Sequence, residues 1–154
     1  MDSKKICFAA SSGGHFEQIM MLKPLMEKYS GFILTEKTKY KTGQDIQNIY
    51  CIMQINRKEK LFLIKFLLDF ILSFVVYVKE KPDVIISTGV LAMIPMCLIM
   101  KVFGKKLIYI ESFAKVTSPT KTGKLLYKYA DQFYVQWETM KKFYPNAIYL
   151  GGIY

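Results

Sequence analysis

The chain opens with a short apolar run, Lys5 to Ala10 (KICFAA), that reads as a buried strand and is broken by Gly13-Gly14. From His15 to Tyr29 the apolar residues Phe16, Ile19, Met20, Leu22, Leu25 and Met26 recur at helical spacing. Gly31 restarts a strand over Phe32 to Thr35. Lys37 to Gln47 is polar and reads as a loop, and Ile49 to Ile55 alternates as a strand. Leu61 to Val78 is almost unbroken in its apolar character. After Pro82 the pattern predicts a β-branched strand ending at Thr88-Gly89, then an apolar helix over Val90 to Phe103 closed by Gly104. A strand over Lys105 to Glu111, a helix over Gly123 to Tyr129 and a strand over Gln132 to Gln136 follow. A short helix over Glu138 to Phe143 and a last strand over Ala147 to Leu150 complete the pattern. Strands alternating with helices predict an α/β fold: a Rossmann-like, mostly parallel sheet flanked by helices. No repeat, low-complexity tract or linker interrupts it, so residues 1–154 read as one domain.

Composition narrows the partners. Twenty-two Lys and Arg against 12 Asp and Glu give a formal charge of +10. This excess fits either an anionic partner or a solvated lysine surface. No nucleic-acid reader motif accompanies it, so nucleic acid is not expected as a partner. Cys7, Cys51 and Cys97 are an odd set, each in an apolar run, and read as buried free thiols of a reducing compartment. With one histidine in the chain no common zinc set can form, and no metal is expected. The start, MDSKKICFAASS, is too early broken for a signal peptide, which places the chain on the cytoplasmic side.

Candidate chemistry gathers where strands end. In an open α/β sheet, ligands bind beyond the carboxyl ends of the strands. The first strand ends in Ser11, Ser12, Gly13, Gly14 and His15. Glycines allow close backbone approach, and the following helix N-terminus offers unpaired N–H groups to an anion. The turn reads as a diphosphate cradle beside a histidine, or as a plain tight turn with an exposed histidine. It is not the dinucleotide fingerprint, and no acidic residue ends the second predicted strand as that motif requires. Ser87-Thr88-Gly89 and Glu111-Ser112 end two further strands at the same edge. His15 can take a proton from an attacking hydroxyl; Glu111 can orient it, act as the base itself, or be a simple surface carboxylate.

Leu61 to Val78 (LFLIKFLLDFILSFVVYV) holds fourteen Leu, Ile, Phe or Val in 18 positions. These favour insertion by roughly 4 to 8 kcal/mol, and central Lys65 and Asp69 oppose it by roughly 5 to 7 kcal/mol. A span here would also split the parallel sheet across the bilayer. Lys65, Asp69 and Ser73 form a narrow polar stripe, so the segment reads as a helix with one apolar face on the sheet and another outward. Phe62, Phe66, Phe70 and Phe74, with Arg57, Lys58 and Lys60 at its start, are the candidate contacts to an anionic membrane surface. Another subunit covering the same face is the alternative.

Taken together, SSGGH after the first strand, the basic apolar helix, KPDVIISTG, KKLIYIES and ADQFYVQ resemble the N-terminal half of GT-B glycosyltransferases. Similar chains are MurG, the acceptor subunit of the split N-acetylglucosaminyltransferase that makes the dolichol-linked disaccharide, and the short PssD-type proteins of capsule and exopolysaccharide assembly. The resemblance implies a membrane-associated acceptor-binding subunit of a two-component glycosyltransferase at the cytoplasmic membrane face. Its acceptor would be a polyprenyl-diphosphate-linked sugar. A separate donor-binding subunit would hold the UDP-sugar, with no cofactor in this chain. A non-catalytic anchor or activator of a complete enzyme is the rival. By resemblance Ser12, Gly13 and Gly14 match the loop near the acceptor diphosphate, with Ser11 beside them. His15 matches the histidine closing that loop, Thr88 and Gly89 match the second loop, and Glu111, followed by Ser112, matches the glutamate at the strand end. No counterpart of the eukaryotic subunit's N-terminal membrane anchor is expected here, so membrane contact is expected from the surface helix at residues 61–78 or from the partner.

Overall fold

The computed structural model describes residues 4–37 and 48–154. Seven strands form one parallel sheet: β1 (Ile6–Ala10), β2 (Gly31–Glu36), β3 (Ile49–Ile52), β4 (Val84–Gly89), β5 (Lys106–Ile110), β6 (Gln132–Val135) and β7 (Ile148–Tyr149). Their order is β3-β2-β1-β4-β5-β6-β7. The connections carry α1 (Gly14–Met20), α2 (Lys23–Lys28), α3 (Phe62–Glu80), α4 (Ile94–Val102) and α5 (Lys121–Leu126). Most of the predicted loop Lys37 to Gln47 lies outside the described residues.

The sheet has two apolar faces because its strands alternate. In β1, Ile6, Phe8 and Ala10 join Phe16 and Ile19 of α1 on one side. Cys7 and Ala9 join Met96, Cys97 and Met100 of α4 on the other. All five residues of β1 are buried, which is why they read as a continuous apolar run.

Local chemistry trims the predicted elements. The helix predicted over 15–29 is two helices, because Pro24 sits in the first turn of α2 and has no N–H to continue α1. Residues 91–93 form a 3-10 turn ahead of α4. Strand β2 extends to Glu36, so an acidic residue does end the second strand. Glu36 is buried, and desolvation raises its pKa against the N–H groups of Ile55 and Ser12, which favour its charge. Cys51 is exposed rather than buried, because β3 is an edge strand with one side open.

The largest correction concerns α3. Its polar stripe faces inward: Asp69 and Ser73 are fully buried, with Val76 beside them. The outward face is apolar, with Leu63 75%, Leu67 63% and Ile71 54% exposed. Phe62 and Phe66, predicted to face a membrane, instead pack on the core and stack on each other. Phe70 is half-buried edge-on to Phe66, while Phe74 remains outward. Arg57, Lys58 and Lys60 are exposed as predicted. Val102 and Phe103 extend the apolar surface, with Phe103 stacked on Tyr77 at 4.7 Å.

Asp69 is inside because it has a partner there. Its Oδ1 accepts the Met53 N–H at 2.8 Å, which the end of β3 would otherwise leave unpaired. Its Oδ2 and the Ser73 hydroxyl have no partner among the described residues. Burial therefore pushes the Asp69 carboxyl up to about 6. The folded protein holds this proton more tightly than an unfolded chain, whose aspartates titrate near about 4. The resulting cost is absent below about pH 4 and is complete above the folded value, at roughly 2–3 kcal/mol. Asp69→Asn keeps the acceptor for Met53 and removes the charge. It should stabilise the protein by about that amount at about pH 7.5, with the gain vanishing toward about pH 4. Urea unfolding of both forms in mild detergent, followed against pH, checks the difference.

Candidate functional site

The strand order reverses its direction of growth between β1 and β4. At that switch point the connections leave toward opposite faces, opening a crevice beyond the strand ends. The turn after β1 lies there, tied to its neighbour by the Ser11 N–H on the Gly89 carbonyl at 3.2 Å. Gly13 has φ +74°, a conformation that side chains rarely adopt. Its carbonyl accepts the N–H groups of Phe16 and Glu17. The amides of Gly14 and His15, in the first turn, have no intrahelical partner. Gly13 and Gly14 are exposed, and a Cβ built on either meets nothing within 4 Å. Packing does not explain these two glycines; an open space lies in front of them.

His15 is held by a reciprocal pair of bonds. Its Nδ1 lies 2.6 Å from the Thr88 carbonyl, and the Thr88 hydroxyl donates to the His15 carbonyl at 2.9 Å. A carbonyl can only accept, so Nδ1 carries the proton and the neutral ring keeps its lone pair on Nε2. Burial lowers the His15 pKa, opposed by the Thr88 bond and the Glu111 charge. The ring is thus neutral at neutral pH and able to accept a proton. Gly89, at φ +101°, holds a backbone conformation that side chains rarely adopt, and a Cβ there would lie 3.1 Å from the Tyr109 hydroxyl oxygen.

Several predicted contacts are placed elsewhere. Thr88 and Gly89 are buried and position His15, rather than facing a ligand. Ser11 and Ser112 are buried, at 4% and 7% exposure, and Ser112 donates its N–H to Glu111. Of the seven candidate diphosphate contacts, Ser12, Gly13 and Gly14 remain on the open edge.

Glu111 is corrected in role. It is 1% exposed, and both carboxylate oxygens are engaged. Oε1 accepts from the Ser112 N–H at 2.9 Å and the Thr120 hydroxyl at 2.9 Å. Oε2 accepts from the Tyr144 hydroxyl at 2.6 Å and the Thr120 N–H at 3.2 Å. The carboxylate thereby closes residues 112–120 into a loop over α5. It fits an anchor, not a base reaching substrate. Gly123 makes the approach possible, since a Cβ there would lie 2.2 Å from Oε2.

Sequence reasoning missed Gln18, Gln136, Thr120 and Tyr144. Gln18 carried a signal: it sits between Phe16 and Ile19, on a helix face that is otherwise apolar. Among the described residues no group of three or more His, Cys, Asp or Glu is placed to hold a metal ion. No described helix is long and apolar enough to cross a membrane. On the α1 side of the sheet, a groove of about 280 Å³ runs between Leu22, Leu25, Ile108, Tyr134 and Ile153.

Comparison with known proteins agrees with this geometry. The fold is similar to that of MurG from Acinetobacter baumannii, with a TM-score of 0.74 at 19% identity. That match covers 88% of this chain and 42% of MurG. A UDP-N-acetylglucosamine 2-epimerase from Rickettsia bellii aligns with a TM-score of 0.72 at 10% identity, over 98% of this chain and 45% of its own. These likenesses show a Rossmann-like GT-B half. The human UDP-N-acetylglucosamine transferase subunit ALG14 is 27% identical, over 99% of this chain and 84% of its own length. The mouse protein of the same name is 36% identical over 87 residues, covering 53% of this chain and 40% of its own. Residues 26–153 match the family described as oligosaccharide biosynthesis protein Alg14 like, and the chain belongs to that family.

Proposed function

We propose that this chain is the acceptor-binding, membrane-associating subunit of a two-component glycosyltransferase. The observation that carries the reading is the open edge at the switch point. Gly13 and Gly14 face unfilled space, and the His15 ring beside them has its tautomer fixed with Nε2 able to accept a proton. Ser12 and the free amides of the turn would hold the diphosphate of a polyprenyl-linked sugar. A donor-binding partner would hold the UDP-sugar; N-acetylglucosamine is the sugar in the relatives' names. The acceptor hydroxyl attacks the anomeric carbon, its proton passes to His15, and the bond to UDP breaks with the electron pair leaving on UDP. Glu111 acts in this scheme as a positioning residue. Capsule or exopolysaccharide assembly is the setting that the PssD resemblance implies.

The outward face of α3 supports contact with a membrane, and the cytoplasmic face is the side that the resemblance implies. So large an apolar surface is unusual on a solvated monomer. Arg57, Lys58 and Lys60 leave β3 at the same edge as the glycine turn, so attachment there brings the turn toward the headgroups. We treat residues 1–154 as one functional domain. The anchor reading keeps one observation in its favour: Glu111 and Thr88 are committed to the fold, leaving His15 alone among the candidate catalytic groups at the open edge.

Four outcomes test these assignments. Chain and partner purified together from membranes should transfer labelled sugar from a UDP-sugar to a polyprenyl-diphosphate sugar, and neither should do so alone. His15→Ala should lower that rate by about 100-fold or more with the complex intact, whereas an unchanged rate would favour the anchor. Leu67→Glu combined with Ile71→Glu should weaken flotation with phosphatidylglycerol–phosphatidylethanolamine vesicles by about 100-fold, at roughly 1.5 kcal/mol for each buried side chain. Gly123→Ala should drive Glu111, Tyr144 and Thr120 apart and cost about 2–4 kcal/mol in thermal unfolding. It should keep an acid limb in the pH–rate profile, because that limb belongs to His15, displaced slightly to lower pH as the Glu111 charge recedes.

A further inference from the structure

Between the glycine turn and residues 151–153 lies a buried amide bridge that the scheme above does not use. Gln136, 3% exposed at the end of β6, donates through Nε2 to the Glu111 carbonyl at 2.8 Å. The same Nε2 donates to Gln18 Oε1 at 3.1 Å, and Gln136 Oε1 accepts the Ile153 N–H at 3.0 Å. Gln18, 4% exposed on α1, also accepts the Phe113 N–H at 3.4 Å.

The orientation of both amides is forced. The Glu111 carbonyl can only accept and the Ile153 N–H can only donate, so Gln136 must point Nε2 to one and Oε1 to the other. Gln18 must then turn its oxygen toward Gln136, and the Phe113 N–H finds the same acceptor. Four segments meet here: α1, the loop after β5, the end of β6 and residues 151–153. Gln18 follows His15 by three positions on a helix of 7 residues, so a shift at one is felt at the other. Ile153 and Gln136 also line the apolar groove.

We infer that Gln18 and Gln136 are positioning residues for His15: their bridge fixes how α1 sits over the sheet and ties that position to the loop after β5 and to residues 151–153. The inference rests on reading His15 as the proton acceptor of the open edge. Without the bridge, α1 is held at this end by apolar contact alone, while the buried Glu111 carbonyl and the half-buried Ile153 N–H lose their partner. The His15 ring then loses its fixed distance to Thr88. Anything that moves residues 151–153 acts on His15 through the same four bonds.

The single histidine makes the test direct, because its Hε1 proton gives one unambiguous NMR signal. The intact chain would be titrated in detergent as wild type, Gln136→Leu and Gln18→Leu, with amide exchange measured on the same samples. Both variants should move the His15 midpoint upward, toward that of a free imidazole, by about 0.3 pH unit or more as burial is relieved. Gln136→Leu should speed exchange at Ile153 by about 3- to 10-fold, whereas Gln18→Leu should leave Ile153 unchanged and speed Phe113. Amides of β1 and β4 should keep wild-type rates in both. Gln18→Leu leaves the bonds of Gln136 to Glu111 and Ile153 in place, so it carries the test if Gln136→Leu does not fold. A His15 midpoint identical to wild type in either folded variant overturns the inference, whatever the transferase assay shows. A shifted midpoint with undiminished transfer would uphold the bridge and reject His15 as the proton acceptor.

Discussion

The structure depends on the seam between β1 and β4. These strands are sequence-distant, parallel and adjacent, and the chain leaves them toward opposite faces of the sheet. Ser11, His15, Thr88 and Gly89 close the seam at its carboxyl end with backbone and side-chain bonds. A crevice in a parallel sheet must lie beyond such a seam, because only there do two connections diverge. The clasp that completes the fold is the same one that selects the tautomer of His15. Residues that resemble ligand contacts in the sequence, Thr88 and Gly89, serve the site by shaping this clasp.

The second organising constraint is the polarity of α3. A helix on a soluble sheet directs its apolar stripe inward and its charges to water. Here Asp69 and Ser73 point inward and Leu63, Leu67 and Ile71 point outward. The inversion has a local cause in the Met53 N–H, which needs an acceptor under the helix. It is tolerable because α4 and the strands already supply a core on that face, through Met96, Met100 and Ile85. The outward residues therefore contribute little to folding in water. Under the proposed membrane attachment these leucines and isoleucines would enter a second apolar phase, and the desolvated Asp69 is the counterpart inside.

Much of this was legible in the sequence. Apolar runs and glycine breaks placed all seven strands, because strands buried on both faces leave continuous runs such as KICFAA. The glycine turn and its histidine were readable from residue type alone. Less legible were the facts that depend on which way a side chain turns. An apolar helix with a three-residue polar stripe has two possible orientations, and spacing does not choose between them. The sequence reading put phenylalanines 62 and 66 outward; their rings pack inward beside the stripe. Glu111 presented the same difficulty. A strand-end glutamate looks alike as a base or as an anchor until Thr120 and Tyr144, nine and 33 positions away, are seen to donate to it.

The contrast between His15 and Glu111 shows how the edge divides its labour. Both are titratable, both end a strand connection at the same edge, and each lies in the electrostatic reach of the other. Glu111 has its oxygens occupied by donors from three separate segments, so any motion toward a substrate would leave buried donors unpaired at about 1–3 kcal/mol each. Among the described residues His15 is tied through Nδ1 only, and that bond fixes the ring without consuming the lone pair on the other nitrogen. Accepting a proton from a substrate needs a lone pair that the fold itself does not hold. By that criterion the saturated carboxylate belongs to the scaffold, with Gly123 kept small to admit it, and the half-satisfied imidazole belongs to the crevice.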